Sequence, residues 1–220
     1  MRHRAVYMGH TTLQPHTENL VKMRATLRIL VLQVFICWAE AIEYQFVVDE
    51  DGILAPCEDQ QGNPSNIDGL LDMSTVKVTN TGNKISIEGE HAVVWKDVQP
   101  GDTINLFGQV YRQEKGTWQK TMFSGSSNNF CHNMFEKNQY WYKFWTQYIK
   151  NSDEIKNKCL NTLGAVLKYE QFELDLKGNL NAPNLEGRYK LVVQIEAFDK
   201  RNVKRPVSIC TELRGTASKV

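Results

Sequence analysis

Few residues of this chain could do acid–base or nucleophilic chemistry, and their spacing assembles no reaction. Only His91 and His132 lie beyond the first 16 residues, and a serine triad needs a histidine base. The stretch FSGSSN around Ser126 is not the G-x-S-x-G turn that exposes a nucleophile between strand and helix. His91 falls in a strand pattern, and His132 on the polar side of a predicted helix. Glu88 and Glu90 share a strand face, as catalytic carboxylates do, but so do many solvated pairs. No C-x-x-C occurs, and the Cys and His spacing does not resemble a zinc pattern. Cysteines held in disulfides are not available as nucleophiles. The expectation is a protein that is not an enzyme and takes no metal or cofactor.

The unusual chemistry is apolar. YWYKFW, residues 140–145, places five rings in six positions. Across NNFCHNMFEKNQYWYKFWTQYIK (128–150), helical spacing gathers Phe130, Met134, Trp141, Phe144, Trp145 and Tyr148 on one side. Phe135, Tyr142 and Ile149 form a shoulder, Tyr140 extends the other edge, and Asn133, Glu136, Gln139, Lys143 and Gln147 fill the rest. The apolar arc covers roughly 220°, about twice what a surface helix needs to dock on a core. Two accounts stay open: the wall or lid of a ligand cavity, or a lipid contact, on one side, and a broad structural core on the other.

Those rings need elements to hold them. With 41% hydrophobic and 23% charged residues and a net charge of +1, the composition is that of a globular chain and gives no reason to expect nucleic acid. No run reaches the roughly 20 apolar residues of a membrane span. Residues 23–41 read as a secretory signal peptide: basic MRATLR, apolar ILVLQVFICW, then Ala39 and Ala41 placed for cleavage. A buried core helix is the alternative. Residues 1–22 are a polar extension, either from an upstream start with Met23 the working initiator, or a short cytosolic tail. Residues 42–220 then form the folded domain, secreted and extracellular.

Beyond the leader four cysteines remain, and four allow three pairings. We favour Cys57–Cys210, tying the start of the domain to its last strand, and Cys131–Cys159, closing a loop around the aromatic segment. Loop-closure entropy makes the first worth roughly 5 kcal/mol and the second about 3–4. No N-x-S/T sequon with x other than Pro occurs, so N-glycosylation is not expected.

Period-2 segments dominate the domain: 42–48, 73–80, 84–95, 103–112, 117–124, 165–176, 187–199 and 206–215. Eight short strands with regular turn signals predict an all-β fold, a sandwich or barrel. In YKLVVQIEAF, Tyr189, Leu191, Val193, Ile195 and Ala197 alternate with Lys190, Gln194 and Glu196. One face of that strand is expected inside and the other in solvent, which suits a two-sheet antiparallel sandwich with one short aromatic-rich helix.

The stretch LEGRYKLVVQIEAFDKRNVKRPVSICTELRG (185–215) resembles the closing hairpin of the ML lipid-recognition superfamily, through Gly187, Tyr189 and Cys210. Within it the chain is similar to the insect CheA/CheB chemosensory proteins, relatives of the ganglioside activator protein. The shared features are the leader, the early Cys57, the pair Cys131 and Cys159 around the aromatic segment, and the Gly-x-Tyr strand. Four cysteines stand where the ganglioside activator has eight, so its loop geometry and glycolipid activity do not carry over. The resemblance implies a secreted β-cup with an internal hydrophobic cavity and a non-enzymatic role around taste hairs, in perceiving lipid-like pheromones. A sensory-cell receptor or channel would be the onward partner.

The expected function is therefore binding or carriage of a lipid or long-chain hydrocarbon, driven by about 0.8 kcal/mol per buried CH₂. Expected lining residues are Phe130, Met134, Trp141, Phe144 and Trp145 from the helix. Phe107, Trp118, Met122, Phe172 and Leu174 are added from strands, where each would equally serve as plain core. Lys143 or Tyr140 would meet a polar head group at the rim. The alternatives are a secreted Ig-like adhesion or receptor-ligand module, and a carbohydrate-binding module that stacks sugars on exposed Trp.

Overall fold

Alternation of apolar and polar side chains determines where the strands run. The computed structural model describes residues 42–220 apart from 59, 61, 83 and 181–183. The leader expected over 23–41, and the extension before it, lie outside the described residues. Ten strands follow: β1 (Ile42–Val48), β2 (Ala55–Pro56), β3 (Val76–Asn80), β4 (Lys84–Ala92), β5 (Thr103–Glu114), β6 (Thr117–Ser127), β7 (Val166–Asp175), β8 (Lys177–Leu180), β9 (Gly187–Phe198) and β10 (Ile209–Lys219). The eight expected strands are all present. The two additions, β2 and β8, are too short to show a period.

All strand pairs are antiparallel, in two sheets. The larger runs β6-β5-β9-β10-β1-β8, with β2 also on β10; the smaller runs β3-β4-β7. This is the all-β sandwich expected. The β5–β6 hairpin turns on Lys115 and Gly116, both at positive φ (49° and 82°), the geometry that matches strand twist in a two-residue loop.

The aromatic stretch is not one helix. It forms α1 (Phe130–Asn133), α2 (Tyr140–Phe144) and a 3₁₀ turn (Thr146–Tyr148), followed by α3 (Ser152–Lys158) and a second 3₁₀ turn (Cys159–Asn161). Side-chain donors take carbonyls at the break: Trp141 Nε1 donates to Asn133 O (3.0 Å) and Thr146 Oγ1 to Met134 O (2.6 Å). Trp145, at φ −144° and ψ −70°, ends α2. Bonds of this kind compete with helix continuation.

This insert bridges the layers. α1 and the second 3₁₀ turn pack on β5 of the larger sheet, while α3 and the first 3₁₀ turn pack on β7 of the smaller. Phe130, Met134, Ile155 and Leu160 are wholly buried in one core with Ile104, Leu167, Ile195 and Ile209. The disulfides are Cys57–Cys210 and Cys131–Cys159, each with Cα atoms 5.6 Å apart. The second ties the two parts of the insert that rest on β5.

One expectation about β9 is corrected. Its inner set Val193, Ile195 and Ala197 does pack on the core, but the opposite face is covered in its middle, while Arg188 stays exposed and Glu196 half-exposed. Lys190 is only 4% exposed and Val192 is buried. Chain from beyond β2 reaches over this face: Glu58 N donates to Glu212 Oε1 (3.3 Å), and Gln194 bonds Gln60. A strand covered on both faces usually reads as a continuous apolar run, but here the covered face carries Lys190 and Gln194, each with a polar partner, so the alternation persists and period alone could not reveal the cover.

Candidate ligand-binding cleft

The insert occupies the core shared by β5 and β7, and the open space lies elsewhere. A cleft of about 710 Å³ is lined by Glu50, Asp51, Ile53 and Leu54 between β1 and β2, by Ala55 and Pro56 of β2, by Asn66, Ile67 and Asp68 at a 3₁₀ turn (Ile67–Gly69), by Met73 ahead of β3, and by Val78 and Asn80 on β3. Local sequence explains the irregular wall. Gly52 approaches β10 so closely that a Cβ there would stand 2.6 Å from Arg214 O. Arg214 N donates to Gly52 O (2.9 Å), and Asp49 N to Arg214 O (3.0 Å). Leu54 then adopts φ +53°, a conformation uncommon for a residue with a Cβ, and a position where backbone strain accompanies ligand sites.

The two sheets are joined beside the cleft. Asn80 Nδ2 donates to Val48 O (3.1 Å) and Asp49 O (3.2 Å), and its Oδ1 accepts from Gly82 N (2.8 Å). Ile53, Leu54, Ala55, Pro56, Ile67, Met73 and Val78 give an apolar lining, while Glu50, Asp51 and Asp68 bring carboxylates. Asn66 caps the 3₁₀ turn, accepting from Asp68 N (3.2 Å) and donating to Asp68 Oδ2 (3.1 Å). The volume falls within the range of small-molecule sites, and the lining is shared about equally between apolar and polar groups. A smaller groove of about 400 Å³ runs over Gln147–Lys150 and Glu170–Phe172.

None of the expected lining residues borders the larger cleft, and Phe172 alone borders the smaller. Phe130 stacks on Trp145 (5.8 Å between centroids) and meets Trp141 edge-on (5.6 Å). With Met134 they are core, as aromatic pairs of this geometry commonly are. Phe172 stacks on Tyr148 at 4.0 Å, and Leu174 packs half-buried against the same core. Phe107, Met122, Tyr140 and Phe144 are exposed, Met122 at 89%. Lys143 Nζ lies 5.3 Å from the Phe144 ring centre. The surplus rings of the opening pattern therefore divide between interlocked core and scattered surface. The cleft residues escaped the sequence because they sit in irregular chain; the run Asp49-Glu50-Asp51 beside Ile53 and Leu54 was the one available signal.

Trp118 belongs to a different cluster, on the covered face of β9. Lys190 Nζ pairs with Glu212 Oε1 at 3.0 Å and lies 5.2 Å from the Trp118 ring and 5.9 Å from Tyr111, within cation–π range. Arg214 bonds the other oxygen of Glu212 (2.8 Å) and reaches Glu58 (3.1 Å). The buried charges are thus matched, as burial requires.

A third polar group joins the insert to the smaller sheet. Trp145 Nε1 donates to Tyr169 Oη (2.8 Å), leaving that hydroxyl proton for His91 Nε2 (3.0 Å). His91 is then neutral with its proton on Nδ1, which has no partner among the described residues. Burial pulls its pKa from 6.5 down to about 4 and raises that of the Tyr169 hydroxyl. No nucleophile or carboxylate bonds this imidazole. His132, Ser126, Glu88 and Glu90 are exposed.

Among the described residues no group of three or more His, Cys, Asp or Glu is placed to hold a metal ion, and no helix is long and apolar enough to cross a membrane. No family model matches this chain, and no curated protein matches it.

Proposed function

We propose that this protein is a secreted, non-enzymatic binder or carrier of a lipid-like small molecule, which it takes into the cleft between the loop after β1 and the edge of the smaller sheet. The observation that carries this is the cleft itself, about 710 Å³, lined by Ile53, Leu54, Ile67, Met73 and Val78 together with polar groups in similar measure. Two disulfides in a chain of this size suit an oxidising, extracellular setting. The resemblance to insect chemosensory proteins supplies the setting proposed, gustatory perception of pheromone, with a sensory-cell receptor or channel receiving the loaded protein. Transfer of hydrocarbon out of water supplies the driving force, at about 0.8 kcal/mol per CH₂, less the cost of association.

Native mass spectrometry of the secreted protein, followed by lipid extraction, tests the proposal. About one apolar molecule per chain is expected. An unloaded protein that also fails to take up any alkyl-chain probe would refute it.

A further inference from the structure

We propose that the seam between the insert and β7 is an acid-sensitive latch, in which protonation of His91 frees Trp145–Ile149 from Tyr169–Phe172 while the rest of the fold holds. The latch is a relay of side chains from three elements. His91 of β4 takes the Tyr169 hydroxyl proton at Nε2 (3.0 Å), and the same hydroxyl oxygen accepts from Trp145 Nε1 (2.8 Å). Charging the imidazole places a proton on Nε2. The N–H of Trp145, the O–H of Tyr169 and the new N–H of His91 are then three donors around one acceptor oxygen. The imidazolium is also buried, and no ion pair among the described residues reaches it. The charged side chains on the flanking residues of β3, β4, β7 and the insert, Lys77, Glu88, Glu90, Lys168, Glu170, Lys143 and Lys150, are all exposed. A buried charge without a partner is costly until water reaches it.

Water enters most easily along the seam. β4 and β7 pair from Lys84↔Asp175 to Ala92↔Val166. The insert meets β7 through the isolated bridge Ile149↔Tyr169, through Lys150 N donating to Lys168 O (2.9 Å), and through Asn151, which bonds Val166 O (2.8 Å) and Lys168 N (3.1 Å). The groove of about 400 Å³ over Gln147–Lys150 and Glu170–Phe172 already runs along this line. Elsewhere the insert stays anchored, by Cys131–Cys159 and by Thr146 Oγ1 on Met134 O (2.6 Å). Lifting Trp145 uncovers Phe130, wholly buried and stacked on it at 5.8 Å. Burial holds the His91 pKa at about 4 instead of 6.5, so the latch stays shut until that acidity, a histidine switch set low by its surroundings.

Amide hydrogen exchange read by NMR, stepped from about pH 6 to about pH 3 and corrected for intrinsic rates, tests this. Protection at Lys150 N should fall about tenfold or more near pH 4, with binding of an anilinonaphthalene dye, while the β9 and β10 amides stay protected. The His91 ring resonances should titrate at the same midpoint as the seam. His91→Gln and His91→Phe, neither of which titrates, should keep the seam shut over the whole range. Glu170→Gln removes the surface pair with Lys150 (2.5 Å) and should leave the opening in place. Seam opening that survives either His91 substitution, or that comes only together with loss of protection in β9 and β10, overturns the proposal. Where a substituted chain fails to fold, the parent alone decides: separate midpoints for His91 and the seam overturn it as well.

Discussion

Acid should destabilise this protein through one imidazole before its carboxylates titrate. His91 is 6% exposed and its Nε2 accepts from Tyr169, while burial takes its pKa to about 4 from 6.5. In the unfolded chain the ring gains its proton as pH falls through 6.5. In the folded chain it stays neutral until about 4. Protonation there would put a second N–H against a hydroxyl that already accepts from Trp145, leaving the hydroxyl proton without its acceptor. Between those two values the unfolded state binds the extra proton, so stability falls by up to about 1.4 kcal/mol per pH unit. Over the whole window the loss is about 3 kcal/mol. His91→Phe keeps a ring in place and removes the titration. It costs a constant amount through the unpaired Tyr169 hydroxyl, independent of pH in this range. Urea unfolding followed by tryptophan fluorescence, at steps from pH 7.5 to 4.5, should show the parent losing stability relative to the variant. Carboxylates do not blur the comparison. Arg205 holds Asp102 below its ordinary 3.8, and the Ser74 backbone does the same for Asp72. Their contributions are present above that value, vanish only below it, and are common to both proteins. Parallel stability curves for parent and His91→Phe over this range would refute the argument.

Three further outcomes follow from the packing. Lys190→Met leaves Glu212 buried with one of its two cations and should cost about 3 kcal/mol in urea unfolding; adding Glu212→Gln should recover part of it. Gly52→Ala sets a methyl 2.6 Å from Arg214 O and should destabilise by about 1–3 kcal/mol, with hydrogen exchange rising at Arg214 N. Replacing Cys131 and Cys159 by serine should cost about 3–4 kcal/mol, and replacing Cys57 and Cys210 roughly 5, because the second bridge closes the longer loop; thermal midpoints measured side by side check the order.

How much of this was legible follows from the range of each interaction. β1 runs over 42–48 as its alternation predicts, and β9 and β10 pair through Leu191↔Leu213 and Ile195↔Ile209, residues whose apolar side is visible in the chain. β2, two residues long, and β8, Lys177–Leu180, carry no periodic signal, since both are held by neighbours rather than by their own pattern. The aromatic stretch was legible as apolar and helical but not as broken, because the break depends on Trp141 and Thr146 reaching carbonyls eight and twelve residues away.

Sequence alone determined the strand periods, the cysteine content and the excess of rings between β6 and β7, all set by side-chain type and near-neighbour spacing. Tertiary structure decided which space those rings fill. It put Phe130, Trp141 and Trp145 against one another, buried Lys190 beneath a passing chain, and left open a cleft beside Leu54 and Val78. Whether an apolar side chain lines a void or closes one depends on atoms far away along the chain, brought near only when the two sheets meet.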